Sequence, residues 1–85
     1  MTIFSFVVKD SLGIHARPAG LLVKEANKYE CEIKVEHGGK TADAKSIFSV
    51  MGLGAKFGDC LNFSFEGKDE AVASREISEF LEKNL

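Results

Sequence analysis

Apolar and polar positions alternate from the start of the chain. Phe4, Phe6 and Val8 interleave with Ser5, Val7 and Lys9, the two-residue period of a half-buried strand, expected over residues 2–9. Asp10-Ser11-Leu12-Gly13 is rich in turn formers. The period then changes. Ala19, Leu22, Val23 and Ala26 fall on one stripe, with Lys24, Glu25 and Lys28 outside it, which predicts a helix over residues 16–28. Glu32-Ile33-Lys34-Val35-Glu36 alternates again, and Gly38-Gly39 marks a two-residue hairpin turn of the primed type, with the strand returning over residues 40–44. Ser46 stands ahead of Ile47, Phe48, Val50 and Met51 as the N-cap of about one and a half helical turns. Leu61, Phe63 and Phe65 alternate with Asn62, Ser64 and Glu66, giving a last strand. Asp69 is placed to cap a final helix over residues 70–83, on which Ala73, Ile77, Phe80 and Leu81 share a face.

The resulting order is β-α-β-β-α-β-α. Each strand has one apolar and one polar face, which suits an antiparallel sheet covered by helices on one side. A parallel, doubly wound sheet would need strands apolar on both faces. The expected class is therefore α+β, with four strands, three helices and a single domain spanning residues 1–85. Eighty-five residues support one modest core.

Composition narrows the function classes. Eleven basic and thirteen acidic residues give a net charge of −2, which argues against direct binding of nucleic acid. No apolar run approaches the ~20 residues of a membrane span. The first residues lack the basic segment of a signal peptide, so a cytoplasmic location is expected. Cys31 and Cys60 form no Cys-x-x-Cys pair and are expected to stay reduced. No metal-ligand spacing is visible: His37 stands at the hairpin start, remote from His15, and reads as a surface turn residue.

The richest stretch chemically is Gly13-Ile14-His15-Ala16-Arg17-Pro18-Ala19-Gly20. Pro18 belongs in the first turn of a helix, where its missing N–H costs nothing. First-turn N–H groups, here those of Ala16 and Arg17, together with the positive helix end, make an anion site. Arg17 adds a guanidinium suited to phosphate oxygens. The plain reading of His15 is a cap or hydrogen-bonding residue. Its neighbours favour a phosphoryl carrier: the positive groups disfavour an imidazolium, leaving a lone pair free to attack phosphorus, and they then hold the dianion.

Ser46 reads locally as a structural cap before it reads as a phosphorylation site. A phosphate at a helix start is nonetheless tolerated, so modification would change surface charge without unfolding the chain. Ile47, Phe48 and Met51 are expected to be exposed, since a short helix cannot bury every apolar residue it carries. With Lys24, Lys45 and Arg17 as a basic rim they would form a surface for acidic partners, provided folding brings the two helix starts together.

Gly13 to Ala19 with its His-Ala-Arg-Pro-Ala core, Gly39-Lys40, and Lys45-Ser46-Ile47-Phe48 through Gly54 resemble the HPr family, the histidine-containing phosphocarriers of the bacterial phosphoenolpyruvate-dependent sugar phosphotransferase system. The resemblance covers essentially the whole chain. It implies an open-faced β-sandwich, with a four-stranded antiparallel sheet covered on one face by three helices. It implies that Enzyme I phosphorylates His15 on Nδ1, that Arg17 holds the phosphate, and that the group passes to EIIA domains of sugar permeases. Such a protein is a carrier and not a turnover enzyme, needs no cofactor and is expected to act as a monomer. Ser46 matches the serine used by HPr kinase/phosphorylase, whose product binds a catabolite-control transcription factor. Two residues depart from the pattern: Gly20 inside the first helix, and Phe48, which is similar to enteric members. Two rival readings are a regulatory module switched at Ser46 alone and a carrier in a phosphorelay serving nitrogen metabolism or dihydroxyacetone kinase.

Overall fold

The computed structural model describes residues 1–85. Its elements run β1 (Thr2–Val7), α1 (Ala16–Ala26), β2 (Glu32–His37), β3 (Lys40–Asp43), α2 (Ile47–Met51), β4 (Cys60–Glu66) and α3 (Glu70–Asn84). The strands form one sheet in the order β1-β4-β2-β3, with every neighbouring pair antiparallel. The expected class and element order are thus observed, with the ends of the first strand, the first helix and the hairpin's second strand retracted by one or two residues.

Alternation decides which strand face is covered. Phe6, Ile33, Val35, Ala42, Leu61, Phe63 and Phe65 point into the core, while Ile3, Ser5, Lys34, Asn62 and Glu66 alternate outward. Phe4 stacks on Phe63 and Phe65, with ring centroids 5.2 and 5.5 Å apart. Onto this face α1 presses Ala19, Leu22 and Ala26, and α3 presses Ala73, Ile77 and Leu81. Both stripes are those the helical period predicts, except that Val23 and Phe80 are only half-buried. The β2–β3 turn has positive φ at Gly38 and Gly39 (56° and 86°), the double requirement of a type I′ turn.

Two polar residues behave differently from expectation. Asp69 does not cap α3 with its side chain. Its two carboxylate oxygens instead accept the N–H groups of Glu30 and Cys31, both at 2.9 Å, stapling the chain before β2 to the start of α3. The Glu30 N–H is the strongest cause holding this carboxyl below the usual aspartate range. His37 is not a free surface turn residue. Its Nδ1 lies 3.0 Å from the Leu53 carbonyl and its Nε2 2.9 Å from Asp59 Oδ2, clasping the α2–β4 loop to the hairpin. The same oxygen of Asp59 accepts the Lys56 N–H, the main cause of that carboxyl's lowered pKa. Both cysteines are free; Cys31 is buried, and burial pushes its thiol up to about 11.

Candidate functional site

The site begins where the chain leaves β1. Gly13 has φ +70° and is packed so tightly that a Cβ would meet the Ala55 carbonyl oxygen at 2.6 Å and Lys56 Cα at 2.8 Å. Ile14 then donates its N–H to the same Ala55 oxygen at 3.1 Å. These contacts anchor the loop and deliver His15 to the N-cap position of α1 in extended conformation (φ −113°, ψ −179°). Its carbonyl accepts the Ala19 N–H at 3.0 Å, but its imidazole makes no capping hydrogen bond. Residues favoured at this position use a side-chain oxygen to cap the first turn. Here the ring stays free, and the N–H groups of Ala16 and Arg17 have no backbone acceptor. Pro18 removes one donor from the turn and is buried.

His15 and Arg17 line one cleft of about 240 Å³ with Asp10, Pro18, Leu21, Lys83 and Asn84. The imidazole is 38% exposed. The guanidinium of Arg17 is exposed and belongs to none of the ion pairs of the molecule. A second cation, Lys83, arrives from the last turn of α3, held there because the Leu85 carbonyl accepts the N–H groups of Lys9 and Asp10. The arrangement puts an accessible imidazole and two cations in one cleft, at a helix start whose first amides lack backbone acceptors, which is chemistry suited to holding an anion.

Asp10, Lys83 and Asn84 escaped the sequence reading. Lys83 and Asn84 lie about seventy positions from His15, and no local period links them. Asp10 left a faint local signal, an Asx turn in which its Oδ1 accepts the Leu12 N–H at 2.9 Å. Its Oδ2 lies 3.7 Å from His15 Nε2.

Ser46 caps α2, its Oγ accepting the Ser49 N–H at 3.4 Å. Around it Phe48 is 88% exposed, and Ile47 and Met51 are partly exposed. Helices α1 and α2 pack side by side: Asn27 Nδ2 donates to the Lys45 carbonyl at 3.2 Å, and Gly20 faces Ile47. Lys24 is exposed on α1. Lys45 is half-buried, with its ammonium donating to the Tyr29 carbonyl at 2.6 Å, so it does not project freely beside the apolar residues. No helix is long and apolar enough to cross a membrane.

Comparison with known proteins identifies the family. Residues 3–83 match the family model described as the PTS HPr component phosphorylation site. Phosphocarrier protein HPr of Mycoplasma genitalium is 43% identical over 95% of this chain and 93% of its own length. Among solved structures, a mycoplasma histidine-containing phosphocarrier protein superposes with a TM-score of 0.94 at 33% identity, covering 96% of this chain and 93% of the other. HPr-C-His from Thermoanaerobacter tengcongensis gives 0.94 at 37% identity, covering 99% and 94%. With a matching family model, close relatives and a shared fold, this chain belongs to the HPr family, the phosphocarriers of the phosphotransferase system.

Proposed function

We propose that the chain accepts a phosphoryl group on His15 from Enzyme I charged by phosphoenolpyruvate, and donates it to EIIA domains of sugar permeases. One observation carries the reading: an imidazole that makes no capping hydrogen bond at a helix N-cap shares an open cleft with an unpaired guanidinium. The Nδ1 lone pair forms the new N–P bond while the donor's bond to phosphorus breaks and the donor keeps those electrons. Arg17 and the N–H groups of Ala16 and Arg17 then balance the phosphoryl charge without enclosing it. An open site suits a carrier, because a second protein must reach phosphorus from the side opposite the imidazole.

Ile47, Phe48 and Met51, with Lys24 at the side and Lys45 beneath, are the surface we assign to these partners. Ser46 lies within it, so a phosphate there adds about −1.5 to −2 charges to a surface that must meet acidic proteins. HPr kinase/phosphorylase is the corresponding modifying enzyme, and a catabolite-control transcription factor the reader of the modified form. Incubation with phosphoenolpyruvate and Enzyme I should add one acid-labile, base-stable phosphoryl group, and His15→Ala should add none. Equal labelling of that variant refutes the site. Ser46→Asp should receive the group more slowly than the unmodified chain.

A further inference from the structure

The carboxylate of Asp10 is positioned for a role no part of the HPr assignment requires. Its Oδ1 is committed to the Leu12 N–H at 2.9 Å, and its own N–H donates to the Leu85 carbonyl at 2.8 Å, so backbone and side chain are both held. With Oδ1 so engaged, Oδ2 lies 3.7 Å from His15 Nε2, within ion-pair reach but beyond hydrogen-bond distance, while the imidazole caps nothing. We infer that Asp10 is a positioning residue: it keeps the His15 proton on Nε2, turns the Nδ1 lone pair toward the incoming phosphorus, and offsets the positive charge the ring acquires when Nδ1 becomes phosphorylated. The inference rests on phosphoryl acceptance at His15.

The chemistry balances simply. Before transfer the neutral ring carries its single N–H proton at Nε2, facing a group that can only accept. Nδ1 is then the sole nitrogen with a lone pair. It bonds to phosphorus as the donor–phosphorus bond breaks, the electron pair leaving with the donor. No proton moves, and the ring, now substituted at Nδ1 and protonated at Nε2, takes up positive charge beside the Asp10 carboxylate. The opposite tautomer would put the proton on the reacting nitrogen and an acceptor lone pair against a carboxylate.

Two variants separate this role from a structural one. Asp10→Asn preserves an oxygen for the Leu12 N–H, which turns the amide NH2 toward Nε2. A donor there favours a proton on Nδ1, the wrong nitrogen. Asp10→Ser keeps a turn acceptor and leaves Nε2 without a partner. Long-range proton–nitrogen-15 spectra of the unphosphorylated proteins should show the Nε2–H share of the His15 tautomers falling from wild type to Asp10→Ser to Asp10→Asn. Single-turnover transfer from phosphorylated Enzyme I should slow in the same order. For Asp10→Ser we expect about a fivefold loss, the value of a unit charge pair near 4 Å in a water-like dielectric, with the KM for Enzyme I unchanged. Equal tautomer shares and equal rates in all three proteins overturn the inference, as does a loss confined to KM. If wild type accepts no phosphoryl group, the carrier reading itself fails, whereas the tautomer series still reports how Asp10 acts on the ring.

Discussion

Replacing Gly13 by alanine tests how the loop before α1 holds the histidine. Two costs combine at this position. Its φ of +70° lies in the left-handed region, which disfavours an L residue by roughly 1–2 kcal/mol. The added Cβ would also meet the Ala55 carbonyl oxygen at 2.6 Å and Lys56 Cα at 2.8 Å. Both are backbone atoms, so relief requires the loop over residues 10–14 to move away from residues 55–56. Overpacking of this kind costs about 1–3 kcal/mol. The sum is about 2–5 kcal/mol, a fall in Tm of roughly 10 °C or more for a chain of this size. Gly38→Ala supplies the control. Its φ is +56°, but a Cβ there has nothing within 4 Å, so only the backbone cost applies. Urea unfolding of both variants should show Gly13→Ala the less stable by about 1–3 kcal/mol. Because Ile14 hydrogen-bonds the same Ala55 oxygen, Gly13→Ala should also lower the rate of phosphoryl acceptance under conditions where it remains folded, whereas Gly38→Ala should not. Equal stability of the two variants would refute the idea that close packing, beyond backbone conformation, makes glycine necessary at residue 13.

Gly20→Ala should act with the opposite sign: a new Cβ would sit 3.8 Å from Ile47 Cδ1, ordinary contact, and helix propensity favours alanine by about 1 kcal/mol, so urea unfolding should show a gain of that order. Asp69→Asn should lower Tm near neutrality. The Asp69 carboxyl titrates lower in the folded chain than in the unfolded one, so its contribution is complete above the ordinary aspartate pKa of about 3.9 and disappears as pH falls through the lower folded value. The Tm gap between wild type and Asp69→Asn should accordingly close on acidification below about pH 4, and a gap independent of pH would contradict the stapling role. Phe48→Ala, at an 88% exposed position, should leave Tm within a degree or two but raise the KM for Enzyme I or an EIIA domain; an unchanged KM for both would remove Phe48 from the partner surface.

Local spacing determined much of this protein. Two-residue alternation placed the inward faces of the strands, and a 3.6-residue stripe marked Ala19, Leu22 and Ala26 on α1 and Ala73, Ile77 and Leu81 on α3. The Gly38-Gly39 turn, the Ser46 cap and the candidate pair of His15 and Arg17 were legible because each depends on residues within about four positions. Tertiary structure alone decided the strand order β1-β4-β2-β3, the clasp on His37, and the diversion of Asp69 from its expected cap to the N–H groups of Glu30 and Cys31. It also brought Lys83 to the cleft that His15 lines. The physical reason is one of range. Periodicity and capping arise from short covalent separations that a sequence displays directly. A hydrogen bond between residues 30 and 69, or a cleft joining residues 15 and 83, exists only once burial of the apolar face has fixed how the layers stack.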